Sequence, residues 1–359
     1  MKHQRASNVI YAIACTFLVV SALMWPGTTR SANASQPQQA QQLVFDARTP
    51  IGALPFTINK CGSYFLTQCL TGVAGQDGIT INADDVTIDL NGFSLRGVPG
   101  SGDGVIVTGA RTNVSVTNGT VQGWGGIGVN TTNAENSHLD RLRSSGNSGH
   151  GIRSGGNNTV IACVAESNGM DGIVAGPGST LRDCTAKQNQ DGVKFSVGCT
   201  VVNCSAYQNG DDGFVTGNGS TVMTCTSRQN GDDGFEVVSG STILLCTATL
   251  NTGDGIQVDN PGCLIKGNNC ENNGFSGDGA GIHVRSNDSC IEGNHLTNND
   301  RGLDVDVAGN LLLENSAANN ATNYDIVAGN SFGPIVNVGG VGDISGTANA
   351  DHPQANFEY

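Results

Sequence analysis

Seven polar side chains keep a fixed place beside a repeated glycine: Glu236, Gln257, Asp259, His283, Arg285, Asp304 and Asp306. They follow that glycine by two or four positions, in "GFEVV", "GIQVD", "GIHVR" and "GLDVD". Residues two apart on a strand point the same way, so if the flanking apolar residues face inward, these face outward. Stacked strands would gather them on one exposed face. Lys194 belongs to the same column upstream, and Arg301 and Asp254 lie at its edge. An imidazole beside a guanidinium, near carboxylates, is equipped for proton transfer next to a negative charge. Asp259, Asp304 and Asp306 offer the oxygen ligands that Ca²⁺ takes. The competing reading is a solvated polar face of mixed sign.

Those glycines belong to a longer beat. Asn recurs at 168, 189, 209, 230, 251, 273, 299 and 320, at intervals of 20 to 26 residues. Eight residues before each stands an aliphatic residue: Val160, Leu181, Val201, Val222, Ile243, Ile265, Ile291 or Leu312. Five residues before each stands Cys163, Cys184, Cys204, Cys225 or Cys246, and then Asn268, Asn294 or Asn315. Alternating apolar segments of three to five residues, separated by Gly, Asn and Asp, read as short strands joined by turns. A period near 21 residues with two or three such strands fits one coil of a parallel β-helix. The chain is therefore expected to be all-β, a right-handed parallel β-helix with coils about 4.8 Å apart. Looser copies of the beat at 77–81, 103–107, 125–129 and 150–154 bring the count to about twelve coils. The leucine-rich repeat has a similar period but needs a helical return, and this chain shows almost no helical periodicity over residues 76–330.

Each column then becomes a ladder along the axis. A buried Asn ladder is self-sufficient, because each amide donates to the next carbonyl. In-register cysteines point in parallel, too far apart at Cβ for an easy disulfide, so the five ladder cysteines are expected to be free, buried thiols. Cys61 and Cys69 flank "GSYFLTQ", and a disulfide there would close a short loop. The turn acids Asp171, Asp191, Asp212, Asp233 and Asp254 precede the glycine, where Asp is good turn chemistry. Such turns should be exposed, with their mutual repulsion relieved by solvent or by a hard cation. His150, within "GHG", occupies the same column.

Composition sets the outer limits. Lys2 and Arg5 precede the apolar run "VIYAIACTFLVVSALMW" and the small-residue exit "SANAS", which reads as an export signal over 1–34. No later stretch is apolar for long enough to span a bilayer. The signal aside, the chain divides into an N-terminal cap over 35–75, repeats over 76–330 and a C-terminal cover or tail over 331–359. The formal charge of −14 argues against nucleic acid and anionic membranes as partners. With 52 glycines and 5% aromatics, the chain suits a thin core repeated many times better than one thick core.

The opening "KCGSYFLTQCLTG", the following "GITINADDVTIDLNGFSLRG" and the closing "HPQANF" resemble bacterial exported right-handed parallel β-helix proteins of the pectate-lyase-like superfamily. The resemblance covers nearly all of the chain beyond the signal, and it is specific for fold. It implies a secreted, periplasmic or cell-surface protein acting on, or binding, uronate-containing polysaccharide along one outer face. On that view it is a polysaccharide lyase or epimerase. His283 or Arg285 would be the base, Lys194, Glu236, Gln257 and Arg301 would contact substrate, and Asp259, Asp304 and Asp306 would hold Ca²⁺. The alternative is a non-catalytic surface or matrix protein that binds glycan or a protein partner.

Overall fold

The computed structural model describes residues 47–274, 279–340 and 342–359. The signal expected at 1–34, and residues 35–46 of the expected cap, lie outside the described residues.

Short strands follow one another around each coil, and each pairs in parallel with its counterpart one coil later. Three rows result. The first, which carries the candidate site, runs from Phe56–Ile58 to Thr322–Ile326 and holds thirteen strands. The second runs from Thr49–Ile51 to Ser331–Phe332, and the third from Leu70–Thr71 through Asn356–Glu358 to Ile335–Asn337. The solenoid makes about fourteen turns, against the twelve that the beat suggests. The difference lies at the ends. Thr49–Ile51 and Phe56–Ile58 already stack in register although the Gly-Asn beat is missing there. No α-helix occurs among the described residues, and none of their helices is long and apolar enough to cross a membrane.

Register explains the core. The aliphatic column from Val160 to Leu312 pairs residue on residue and is fully buried. Behind the first row, Phe214 and Phe235 stack at 4.9 Å between ring centroids. Each such coil has little apolar material of its own, so it is stable only when its neighbours cover it.

The corners follow from one local device. The residue before each ladder Asn, from Ser167 to Asn319, takes a left-handed conformation with φ of 54° to 58°. For a non-glycine residue this costs roughly 1–2 kcal/mol. The buried Asn that follows offsets it by pairing in two directions. From Asn147 to Asn320 each side-chain amide donates to the next Oδ1 at 2.9–3.3 Å. The same Oδ1 accepts the backbone N–H of the Asn one coil earlier, as from Asn209 to Asn230 at 3.0 Å.

A second corner uses thiols. Cys163, Cys184, Cys204, Cys225 and Cys246 are buried and unpaired. Each donates its S–H to the carbonyl two residues back, at 3.2–3.4 Å. Asn268 continues the column and accepts the Cys246 N–H at 2.8 Å. Cys61 and Cys69, in contrast to the loop-closing disulfide expected of them, are exposed free thiols. The strand Gly62–Leu66 between them is extended, and its five residues carry the two ends about 13 Å or more apart.

Candidate functional site

His283 lies on the first-row strand Ala280–Val284, between Ile256–Val258 and Arg301–Val305. The register is Gln257↔His283↔Asp304. Upstream it continues through Glu236 and Val215 to Lys194. The column read from glycine spacing is thus a physical column.

Its exposure differs from the expectation. His283 is only 8% exposed and Asp304 is buried as well. The neighbouring acids hold the imidazole from both sides. Nδ1 lies 3.0 Å from Asp254 Oδ2, and Nε2 lies 3.1 Å from Asp306 Oδ2 and 3.7 Å from Asp304 Oδ2. Burial alone would strip the ring of its proton. The bonds to Asp254 and Asp306, with the charge of Asp304, outweigh it and push the His283 pKa up to about 9. The ring is therefore an imidazolium at neutral pH. Burial raises the Asp304 pKa, while His283 and Arg301 act against that rise.

The ring forms part of a cleft of about 350 Å³ lined by Asp232, Asp233, Gly253, Asp254, Gln257, Gly279, His283, Arg285 and Asp306. Arg285 is exposed at its edge, and its Nη1 donates to Gln257 Oε1 at 2.9 Å. A side chain at Gly253 would collide with the carboxylates of Asp232 and Asp233, so glycine here keeps those acids in place.

The turn acids are not the exposed column expected from turn chemistry. Asp171, Asp191, Asp233 and Asp254 are buried, and Asp212 is half-buried. Each takes a backbone N–H from the next coil: Asp254 donates to Asp233 Oδ1 at 2.7 Å, and Asp233 to Asp212 Oδ1 at 2.9 Å. The column turns inward because the adjoining glycines let neighbouring coils close over it. Burial raises the pKa of Asp233 to about 8, helped by the charge of Asp254, and that of Asp212 to about 7. At the far end, His150 Nδ1 lies 3.5 Å from Asp171 Oδ2, and burial lowers its pKa.

Not every residue singled out by sequence reaches the cleft. Lys194 donates to Asp191 Oδ2 at 3.1 Å. Arg301 donates to Asp304 Oδ2 at 2.9 Å and faces Asp325 at 3.4 Å. Glu236 lies one coil upstream of Gln257 in the column. Asp259 is 3.4 Å from Arg285 and accepts from Gln257 at 3.3 Å, so it stands apart from Asp304 and Asp306. Among the described residues, two groups have spacing that could hold a metal ion: His283 with Asp304 and Asp306, and Asp191 with Asp211 and Asp212. Neither suits Ca²⁺, which takes six to eight oxygens. The first has one nitrogen donor and an Arg301 guanidinium already on Asp304. The second has the Lys194 ammonium on Asp191.

Sequence reasoning put Asp254 at the edge of the face and read Asp233 as a turn acid outside it. Their Asp-before-Gly pattern is the same as that of an ordinary turn. The available signal was the unbroken repetition of the acid, which a mere turn does not require.

A three-row parallel solenoid with a polar cleft on one row defines the class. The family model for the right-handed β-helix region matches residues 57–206 and 193–340. The chain belongs to that family. No curated protein matches by sequence. Among solved structures, the mannuronan C-5 epimerase AlgE6 A-module of Azotobacter vinelandii is similar with a TM-score of 0.57 and 17% identity, over 79% of this chain and 87% of that one. The AlgE4 A-module of the same organism gives 0.55 and 15%, over 79% and 89%. The catalytic domain of a GH87 α-1,3-glucanase gives 0.50 and 15%, over 78% and 61%. At these identities the likeness is one of fold.

Proposed function

We propose that the His283 cleft binds a uronate-containing polysaccharide and removes the proton at C5 of a uronate ring, leading to elimination or epimerisation. The observation that carries this reading is the pair His283 and Arg285, two residues apart on one strand, with the imidazole inside the cleft and the guanidinium at its edge. Arg285 pairs with the substrate carboxylate and neutralises it, which acidifies the C5 proton. The neutral form of His283 accepts that proton at Nε2, as the more exposed Asp306 gives way. Asp254 at Nδ1 fixes the ring and stabilises the imidazolium formed. Asp233, kept protonated near neutral pH, makes the cleft less repulsive to an anionic chain than its acid count suggests. It is also the proton donor: a proton returned to C5 from the other face gives epimerisation, and one given to the departing glycosidic oxygen as the C4–O bond breaks gives elimination. Lys194 and Glu236 continue the column along which further sugars would lie. The reading includes export, in keeping with the basic-then-apolar start of the chain.

The test is incubation with polymannuronate and polygalacturonate in deuterated buffer. Elimination gives the ultraviolet absorbance of an unsaturated uronate. Epimerisation gives deuterium at C5 by NMR. Retained binding without either product would leave a surface protein that binds glycan and does no chemistry.

A further inference from the structure

The C-terminal strand is out of sequence order. Asn356–Glu358 lies between Ser316–Ala318 and Ile335–Asn337, pairing Ser316↔Phe357 on one side and Val336↔Phe357 on the other. It is held as a full member of the ladder. Phe357 N–H donates to Asn315 O at 2.8 Å, and Val338 N–H to Glu358 O at 2.9 Å. Asn315 Nδ2 donates to Asn356 Oδ1 at 3.1 Å, so Asn356 takes the next step of the Cys/Asn column. The hydroxyl of Tyr324 donates to Phe357 O at 2.9 Å.

The slot is thus filled by a strand that reaches it from a distance. Residues 342–354 on the way are exposed or half-exposed. They bond mainly to themselves, as in Thr347 N–H to Ile344 O and Ala350 N–H to Thr347 O. A tether over 338–355 can span about 60 Å when extended, enough to carry the strand to a neighbouring molecule.

The same end leaves apolar surface and strand edges uncovered. Thr322–Ile326, Ser331–Phe332 and Ile335–Asn337 close their rows, and each pairs on one side only among the described residues. Phe332 continues the buried column of Leu312, yet it is 49% exposed, with no further coil stacked on it among the described residues. Leu311, Val327, Ile335 and Tyr359 are exposed close by in the chain. Free edges with apolar side chains favour pairing with another chain.

We propose that two copies of this chain associate end to end through their last coils, each inserting its strand Asn356–Glu358 into the slot of the other. Reciprocal exchange of an identical element needs no new contact surface inside the slot and closes as a twofold dimer. The apolar ends then cover one another.

Sedimentation of the full chain measures the mass, and a cysteine pair reports the exchange. S316C/F357C, with C61S/C69S to remove the exposed thiols, puts two thiols on register partners about one strand spacing apart, and a short bis-maleimide bridges them. A two-chain mass with covalent dimers on a non-reducing gel is the expected result. Leu311→Lys should raise the dimer dissociation constant at least tenfold. Ile335→Lys serves the same purpose if the first variant does not fold. A one-chain mass at every accessible concentration overturns the proposal. So does a two-chain mass in which the engineered cross-link forms only within single chains. None of these readouts depends on activity toward polysaccharide.

Discussion

Two polar columns run along this solenoid, and they behave in opposite ways. In the Asn column each side chain is both donor and acceptor, so every rung satisfies its neighbours. In the Asp column each side chain only accepts. The backbone N–H of the next coil satisfies one oxygen, and the remaining negative charge faces other negative charge. Burial then holds protons on Asp212 and Asp233 well above the ordinary carboxylate range. The amide column is a structural seam. The carboxylate column carries charge that the fold must offset with retained protons and its own cations, and it ends on the imidazolium of His283 inside the cleft. Strain of this kind at one end of a regular fold is where chemistry is expected.

The largest predicted effect tests that ending. His283→Ala should reduce turnover of a polyuronate by about 10²–10⁴-fold, the usual share of a positioned proton-transfer group. It should also destabilise the fold by about 3–5 kcal/mol, because Asp254 and Asp304 keep buried charge without their partner. Arg285→Ala, at an exposed position, should lose activity with a stability change of only about 0.5 kcal/mol. Chemical denaturation beside the activity assay separates the two. Full activity in both variants would remove the site assignment.

The second prediction tests the seam. Asn230 Oδ1 accepts from Asn209 Nδ2 at 3.0 Å, and its Nδ2 donates to Asn251 Oδ1 at 2.9 Å and to Ser227 Oγ at 2.7 Å. Asn230→Ala strands buried groups on both sides and should cost about 2–4 kcal/mol. Asp233→Asn should do the reverse at pH 8 and stabilise by about 1 kcal/mol or more, since it removes an acid whose ionisation the fold opposes. If urea midpoints move the same way in both variants, the contrast between the columns fails.

The third prediction is a pH dependence. His283, raised to about 9 from an ordinary 6.5, contributes stability that is complete below pH 6.5 and is lost as pH rises through about 9. Its full size is roughly 3 kcal/mol. Asp233, raised to about 8 from 3.8, acts in the same direction. The folded state keeps a proton that the unfolded chain releases, so stability falls between about pH 4 and 8. The protein should melt higher at pH 5 than at pH 9. Turnover should follow a bell with its maximum between about pH 8 and 9, rising as neutral His283 becomes available and falling as Asp233 loses the proton it returns. A melting temperature that climbs with pH would reverse the assignment of charge.

Sequence carried the repeating half of this picture and lost the converging half. The aliphatic, Asn, Cys and outward columns were readable because a solenoid turns period into position. Val160 and Leu181 stack for the same reason that they recur. Ends and turns obey no period. Thr49–Ile51 stacks without the beat, and Asn356–Glu358 reaches the third row out of order. The inward turn of Asp254 depends on how closely glycine-lined coils approach, which spacing does not encode. Nor does spacing show that Arg301 and Lys194 are engaged by acids of their own face.

The smallest predicted effect concerns Ca²⁺. A cation bound only by the folded state raises the melting temperature in proportion to the logarithm of its excess over the dissociation constant. Three aspartates on one face invite such a site, and so does repulsion along the Asp column. The structure meets both needs with its own cations. Arg301 sits on Asp304, His283 lies between Asp254 and Asp306, Lys194 caps Asp191, and Arg285 faces Asp259. The Asp column relieves its remaining charge by keeping protons on Asp212 and Asp233. A Ca²⁺ ion would have to displace an internal cation at either group. Millimolar Ca²⁺ should therefore leave the melting curve of the free protein unchanged against a chelator control. Lys194→Met removes the ammonium from Asp191 and leaves Asp191, Asp211 and Asp212 as an open carboxylate group. In that variant, and not in the wild type, Ca²⁺ should raise the melting temperature. A rise in the wild type itself would mean that an oxygen-rich site forms despite the guanidinium and ammonium groups, and the account of the acidic column as internally compensated would be wrong.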